Sequence, residues 1–577
     1  MACKKSIPCK KSIPRTVGIG IQDFAKVVTN RCFYVDKTDF IREWWESRDD
    51  VTLITRPRRF GKTLTMSMLE QFFSVAYAGQ GSVFEGLSIW KAETYRVLQG
   101  TYPVISLSFA RVKEMNYPDA RAKMCEILRN LYIKHYFLRE SAVLSDADRA
   151  YFDRILEPEV SNSDATSAIY QLSDYLCRYY GKKVIILLDE YDTPMHEAYV
   201  GGYWDELVAF SRSLFNATFK TNPYMERAVM TGITRVSRES MFSDLNNLEV
   251  VTVTSEKYRD SFGFTEEEVF EALDEFGLSD RRMEVKEWYD GFVFGKQTDI
   301  YNPWSILNYL DKGKVAAYWV NTSSNSLVGK LVREGSPQLK TVMEGLLQGG
   351  TFRTLLDEQV VFSQLDQGDE AVWSLLLASG YLNAVHAEFN PESLEMEYEL
   401  KLTNLEVRIM FLHMIRGWFG GCRMVHNAFL QALLTDDLEG MNEYMNEVSS
   451  EMFSSFDTGK KPSGKAQPER FYHGFVLGLL AELQNRYSVT SNRESGLGRY
   501  DIMLEPKKAE DLAFVIEFKV VKRKETLEDG VRSALQQIED KRYETVLRSK
   551  GIASERIRKY GFAFEGSKVL IGKGDEK

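Results

Sequence analysis

The sequence predicts an α/β protein with three architectures in series: a parallel sheet clad in helices, a helical lid with a winged-helix-like middle, and a C-terminal αβββαβ module. Three observations carry this prediction. Short apolar runs alternate with long helical stretches over the first 260 residues, as in a parallel sheet. From about Thr254 to Val332 the pattern turns mostly helical. Beyond the breaker-rich stretch TGKKPSGK, which begins at Thr458, one helix, three strands, a long helix and a last strand follow in order.

The elements read as follows. The tandem hexapeptide CKKSIP fills most of a basic leader, expected to be disordered over residues 1–16. The core, expected over 17–260, has helices at 37–47 and 63–73, a long helical region at 120–180, and strands at 51–55, 104–108, 183–188 and 228–234. A lid is expected at 261–335 and a middle region at 336–457. In the middle, a helix at 373–379 precedes a hairpin pairing 381–385 with 396–402, the order of a winged-helix-like module or of a plain α+β connector. The last module, 458–577, reads as a helix at 469–484, strands at 487–490, 498–504 and 513–520, a helix at 527–548 and a final strand within 561–571.

Composition excludes several classes. The 577 residues, 44% hydrophobic and 27% charged, suit a folded chain of three or four domains at roughly 150 residues each. No apolar run approaches the ~20 residues that span a bilayer, and no apolar segment follows the N-terminal lysines as in a secretory signal. The six cysteines form no CxxC pair, so neither a zinc site nor a disulfide framework is expected, and a reducing cytoplasm is the simplest location. The net charge of −10 argues against nucleic acid binding by the whole surface. The charge is uneven, however: residues 458–577 hold 24 Lys and Arg against 18 Asp and Glu. A basic module on an acidic body points to a polyanion partner there, or to a solvated face.

Arg56-Pro57-Arg58-Arg59-Phe60-Gly61-Lys62-Thr63-Leu64 lies between a strand and a helix, the setting a phosphate loop needs. The helix N-terminus offers free N–H groups to phosphate, Lys62 reaches the β and γ phosphates, and the Thr63 hydroxyl joins a Mg²⁺ shell. Arg56 stands where such loops normally carry their first glycine. Downstream, an apolar strand ends in Asp189-Glu190, and strand ends of this kind are where ligands of parallel sheets bind. Asp189 would hold Mg²⁺, and Glu190 would orient or deprotonate the attacking water. Thr231 closes another strand as a γ-phosphate sensor. Arg235 or Arg238 is either an arginine finger or a structural ion pair.

With YVDKT (from Tyr34), the segments RPRRFGKT, LLDEYDTP and TGITRVSRESMFSDLNNL resemble the AAA-ATPase-like proteins of gut and other anaerobic bacteria. In that family an arginine-rich loop replaces the first glycine. The resemblance covers about residues 15–330 and implies a P-loop NTPase core using ATP and Mg²⁺.

A second constellation follows the basic linker. Asp501 and Glu517 fall on adjacent expected strands, and Glu517 and Lys519, two apart, share a face. Two carboxylates with a lysine outline a metal-assisted phosphodiester hydrolysis site. Asp501, Glu517 and the Phe518 carbonyl would supply hard oxygen ligands to Mg²⁺ or Mn²⁺, with Glu469 as an extra ligand, and Lys519 would place the water or offset phosphate charge. FYHGFVLGLL, SNRESGLGRYD and EFK resemble the PD-(D/E)xK nuclease superfamily, in the clade commonly fused to such ATPases, over about 460–577. The resemblance implies a restriction-endonuclease-like fold, catalytic roles for Asp501, Glu517 and Lys519, and an orienting role for Gln537, which precedes Tyr543 as in RecB-like helices. His473 reads as a core histidine. Arg493, Glu494 and Arg499 meet a nucleic acid backbone or form a turn network.

The expected function is therefore an ATP-driven switch coupled to metal-dependent cleavage of nucleic acid, DNA rather than RNA, with no membrane partner and a homo-oligomer left open. Family context adds defence against mobile elements. The alternative is a STAND-like regulatory NTPase whose C-terminal domain binds nucleic acid without cutting it.

Overall fold

The computed structural model describes residues 15–235, 242, 245–320, 326–356, 365, 368–391, 394–419, 427–456, 478, 483, 485–495, 498–508, 510–521, 525–565 and 568–574. The chain divides into two compact units, each discontinuous in sequence: residues 1–327 with 353–407, and residues 328–352 with 408–577.

The first unit is built on five parallel strands: β1 (Val51–Thr55), β2 (Val104–Ser108), β3 (Val184–Asp189), β4 (Met225–Gly232) and β5 (Leu248–Val251). Their order is β2-β3-β4-β1-β5. Every residue of β1 and β3 is buried, as expected for strands covered on both faces. Helix α1 (Lys62–Phe73) leaves β1, and helix α2 (Thr193–Gly201) follows β3. Because β4 lies between β1 and β3, the loops leaving those three strands converge at one sheet edge. The register sets Thr55 beside Gly232, and Leu188 beside Met230. The sequence reading missed β5, a four-residue strand with one fully buried residue and little periodicity to detect.

The region expected to be a helical lid contains α3 (Glu266–Glu275) and α4 (Pro303–Lys312), but also an antiparallel sheet of β6 (Phe264–Thr265), β7 (Phe292–Phe294) and β8 (Gln297–Tyr301). These strands are too short to show a period of two, and their pairing, Phe264 with Tyr301, joins residues far apart in sequence. Phe264, Leu273, Tyr289, Tyr301 and Tyr309 form the core beneath them. The YVDKT segment is a set of staples. Lys37 Nζ donates to Glu268 Oε1 at 2.7 Å and to the Asp260 carbonyl at 2.8 Å. Asp36 Oδ2 accepts from Ser88 N at 2.7 Å, and Thr38 Oγ1 accepts from Ile89 N at 3.1 Å.

After β9 (Phe352–Leu355) and helix α6 (Asp369–Ala378), strands β10 (Leu382–Asn390) and β11 (Glu395–Leu402) form an antiparallel hairpin in register from Leu382–Leu402 outward. The three-stranded order is β10-β11-β9. Helix α5 (Pro337–Leu347) precedes β9 and belongs to the other unit.

The second unit is a mixed sheet in the order β12-β13-β14-β15-β16: β12 (Tyr487–Ser495), β13 (Gly498–Pro506), β14 (Ala513–Val520), β15 (Ile557–Glu565) and β16 (Lys568–Lys573). Strands β14 and β15 are parallel and the other pairs antiparallel. The stretch read as one final strand is two, because the breaker pair Gly566-Ser567 interrupts an otherwise continuous apolar alternation. The helix expected at 469–484 lies almost wholly outside the described residues.

Two helices that precede residue 458 in sequence complete this sheet. Glu344 of α5 accepts from Ser491 of β12, and Gln348 Nε2 donates to Val489 O at 2.5 Å. In helix α7 (Leu438–Phe456), Asn442 and Asn446 sit one turn apart and act as a substitute strand along β16. Asn442 donates to Ile571 O at 3.0 Å and accepts from Ile571 N at 2.8 Å. Asn446 does the same for Val569, at 2.7 and 2.9 Å. An open sheet edge invites pairing with another chain, and these amides close it. Replacing both asparagines by Ala is expected to speed amide exchange at Val569 and Ile571 by roughly tenfold or more, because each edge group loses its partner. Hydrogen–deuterium exchange of the peptide spanning 568–573 reads this directly.

Candidate active sites

The loop between β1 and α1 is shaped by Gly61, whose φ of +87° is open to glycine at little cost. Arg59 takes φ +66° and lays its guanidinium over the Trp304 ring, 4.5 Å from the centroid. Phe60 packs among Phe292 and Phe294. The Arg58 carbonyl accepts from Trp319 Nε1 at 3.0 Å and Asn302 Nδ2 at 3.2 Å. Lys62 Nζ lies within the loop, donating to the carbonyls of Arg56 and Pro57 at 2.8 and 2.9 Å. Burial lowers its pKa to about 8, with Glu190 and Asp189 pulling the other way.

Arg56 explains its own presence. Its side chain is fully buried and turned to the underside of the loop, where it donates to the Thr252 carbonyl at 2.6 Å, the Thr55 carbonyl at 3.0 Å and the Tyr258 carbonyl at 3.4 Å. It also lies 4.6 Å from the Phe294 ring centroid. Burial without a carboxylate lowers its pKa to about 9. The sequence shows an arginine in place of a glycine, as in the family it resembles, but gives no reason for it; the carbonyl partners at Thr252 and Tyr258, some 200 residues away, leave no local signal. Arg56→Gly, although nearer to the usual loop sequence, is expected to destabilise the first unit by on the order of 3 kcal/mol, because several buried carbonyls lose their donor. Urea unfolding followed by tryptophan fluorescence checks this.

Asp189 ends β3 and is buried. Thr63 Oγ1 donates to its Oδ2 at 2.8 Å, and Thr231 Oγ1 of β4 donates to its Oδ1. Burial raises the Asp189 pKa, and the two hydroxyls oppose that rise. The next residue, Glu190, is held at φ +52°, a strained conformation for a non-glycine residue, and accepts from Thr193 Oγ1 at 3.0 Å. The Thr63 hydroxyl and the Asp189 carboxylate, already in contact, are hard oxygen donors that suit Mg²⁺.

A cavity of about 540 Å³ opens beside this group. Arg58, Arg59, Gly61, Lys62, Thr63, Leu64 and Glu190 are on its phosphate-loop side, and Gly18, Ile21, Tyr34, Trp304 and Leu307 are among the residues lining the remainder. That volume is ordinary for a pocket holding a small organic ligand. Arg235 follows the β4 exit and is not among the residues lining the cavity. Arg238 lies outside the described residues.

The second site forms where two strands part. β13 and β14 pair from Leu504–Phe514 to Ile502–Ile516. One residue further, the Asp501 carboxylate accepts the Phe518 amide at 2.7 Å. Phe518 itself packs on Phe562 and Phe564. Glu517 and Lys519 project from the face of β14 that meets helix α8 (Leu527–Lys541). Lys519 Nζ donates to Glu517 Oε1 at 3.3 Å and to Gln537 Oε1 at 2.6 Å. Gln537 Nε2 donates to Glu517 Oε1 and to the Tyr543 hydroxyl, the latter at 3.0 Å. The structure thus brings Glu517, Lys519, Gln537 and Tyr543 into one network, with Asp501 beside it.

Glu517 is 2% exposed. Burial and then the neighbouring Asp501 charge raise its pKa well above the ordinary carboxylate range, against the pull of Lys519. Its second oxygen, Oε2, is buried without a hydrogen-bond partner. A partnerless buried carboxylate oxygen beside a second carboxylate suits a divalent cation, which would satisfy both charges. Glu469 and His473 lie outside the described residues, as do the side chains of Arg493, Glu494 and Arg499.

Two family models match separate parts of the chain. Residues 18–242 match the family described as "Predicted AAA-ATPase". Residues 467–574 match the PD-(D/E)XK nuclease superfamily. Over 582 aligned residues, covering 98% of each chain, the protein is 26% identical to "Uncharacterized protein in vnfD 5'region" of Azotobacter chroococcum mcd 1. A solved structure, the Aeropyrum pernix ORC2 protein in ADPNP and ADP complexes, covers 70% of this chain and 96% of its own at 8% identity, but its TM-score of 0.22 is too low to bear on the fold. The chain joins an AAA-ATPase-like region to a C-terminal region of the PD-(D/E)XK nuclease superfamily.

Proposed function

We propose that the protein is an ATP-binding and ATP-hydrolysing switch coupled to metal-dependent phosphodiester cleavage of nucleic acid, with DNA the preferred substrate. The observation that carries the reading is the bonded set Glu517, Lys519 and Gln537 beside Asp501, with one Glu517 oxygen left for a cation. Asp501, Glu517 and the Phe518 carbonyl would hold Mg²⁺ or Mn²⁺. When bound, the metal would lower the pKa of water and offset the charge that develops on phosphorus. Gln537 fixes the Glu517 carboxylate and the Lys519 ammonium at the same time. Lys519 would place the attacking water or offset phosphate charge.

At the other site, Lys62 would exchange its two loop carbonyls for the β and γ phosphates of ATP. Thr63 and Asp189 would hold Mg²⁺, Thr231 would orient Asp189, and Glu190 would take a proton from the attacking water. Arg235 would offset the charge that develops on the transferred phosphate.

The test is incubation of the full chain with plasmid DNA, single-stranded DNA and RNA, with Mg²⁺ or Mn²⁺, with and without ATP. Cleavage of DNA that requires metal supports the reading. Metal-dependent heat stabilisation lost in Asp501→Ala, with none of the three substrates cut, favours a regulatory NTPase whose C-terminal domain binds nucleic acid.

A further inference from the structure

The cavity wall facing the phosphate loop carries a hydrogen-bonded group that the hydrolysis chemistry above leaves unused. Helix α2 begins directly after Asp192, and Glu190, Thr193 and His196 all face the cavity from this segment. The Asp192 side chain is 1% exposed and that of His196 is 13% exposed. A single oxygen, Asp192 Oδ2, accepts from Ile233 N at 2.8 Å, Thr234 N at 2.8 Å and Thr234 Oγ1 at 3.0 Å. His196 Nε2 lies 3.3 Å from that oxygen and 3.2 Å from Thr234 Oγ1. The other oxygen, Oδ1, is buried without a hydrogen-bond partner. It is walled off by Gly232, where a Cβ would come within 2.8 Å of it and within 2.6 Å of the Tyr191 ring.

One carboxylate oxygen therefore joins a ring on the cavity wall to the two residues that follow Thr231 and Gly232. Thr231 is the residue whose hydroxyl holds Asp189. Around an anionic Asp192, the imidazole places its Nε2–H toward the carboxylate, so a displacement of the ring by a ligand changes what Asp192 holds. The segment is also tied from the α2 side, by Tyr191 donating to the Thr234 carbonyl at 2.8 Å.

We propose that His196 is a positioning residue for ATP hydrolysis: through Asp192 it fixes the Ile233–Thr234 turn, and with it Thr231 and Arg235, relative to the γ-phosphate, and so acts on turnover rather than on nucleotide affinity. This rests on the reading that the cavity binds and hydrolyses ATP.

The experiment compares wild type, His196→Ala and His196→Gln as full chains, in steady-state phosphate release and in binding of a fluorescent ATP analogue. The Gln amide nitrogen can stand where Nε2 stands. His196→Ala is expected to lose at least tenfold in kcat with KM and analogue affinity within twofold of wild type, and His196→Gln to recover most of kcat. Unchanged kcat in His196→Ala, or His196→Gln no better than Ala, overturns the proposal. Limited trypsin cleavage after Arg235, located by mass spectrometry, reads the same turn without turnover. Nucleotide is expected to protect this bond in wild type and His196→Gln but not in His196→Ala, and equal protection in all three overturns the coupling. Wild type that binds nucleotide but releases no phosphate sinks the hydrolysis reading alone, and the trypsin result then decides the role of His196.

Discussion

Glu517→Gln is expected to lower metal-dependent cleavage by roughly 10³-fold, the scale on which loss of a group that stabilises transition-state charge acts. The substitution keeps the volume and one hydrogen-bonding oxygen, so the sheet should survive it. What it removes is the negative charge that would hold the cation, at a position with a partnerless buried oxygen. It also removes the repulsion between Glu517 and Asp501 that, with burial, raises the Glu517 pKa. The apo form of the variant is therefore expected to be at least as heat-stable as wild type, while the stabilisation that wild type gains from Mn²⁺ should be absent. Activity and metal-dependent melting then change together, which separates loss of the site from loss of the fold. Asp501→Asn is expected to resemble it in activity but not in stability, because the Asp501 carboxylate also accepts the Phe518 amide.

Lys62→Met is the second large effect, read in nucleotide affinity and in the pH dependence of stability. ATP binding should weaken roughly 10- to 100-fold, the worth of the charge-assisted hydrogen bonds that are lost. Without nucleotide, the pH dependence decides. The Lys62 pKa is lowered from 10.5 to about 8 by burial, so between those values the unfolded chain holds a proton that the folded chain has released. Stability of the wild type therefore rises with pH across that window, and the full cost of charging Lys62 is present below about 8. Lys62→Met, which does not titrate, should lack this rise, so its stability relative to wild type should fall between pH 7 and pH 10, by on the order of 2 kcal/mol. Urea unfolding of the nucleotide-free proteins at the two pH values measures the change. A difference between variant and wild type that is the same at both pH values would mean that Lys62 is not held in a desolvated loop.

Much of this was legible in the sequence wherever the signal is local. RPRRFGKT is a glycine and a proline between an apolar strand and a helix, and LLDEYD is an apolar strand that stops at two acids. Both patterns follow from the burial of a parallel sheet and from where its strands end. The order of three strands and a helix after residue 486 was legible from short apolar runs separated by breakers, as were the positions of Asp501, Glu517 and Lys519 on neighbouring strands. What escaped depends on partners distant in sequence. Arg56 reads as a missing glycine until its carbonyl partners at Thr252 and Tyr258 are known. The strands around Phe264, Phe292 and Ile300 are too short to show a period, and only the pairing of the chain makes them strands. Asp192 and His196 sit in an ordinary helix start, and only the β4 exit turns them into a bonded group. The edge cap by Asn442 and Asn446 is likewise invisible in a helix whose sequence reads as ordinary amphipathic.

The coupling of the two chemistries is tested most directly by the rate of plasmid cleavage in Mg²⁺ as ATP is titrated, for wild type, Lys62→Ala and Glu517→Ala. The account predicts cleavage by wild type that changes with ATP, cleavage by Lys62→Ala that does not respond to ATP, and none above background by Glu517→Ala. Equal cleavage by wild type and Glu517→Ala would contradict it.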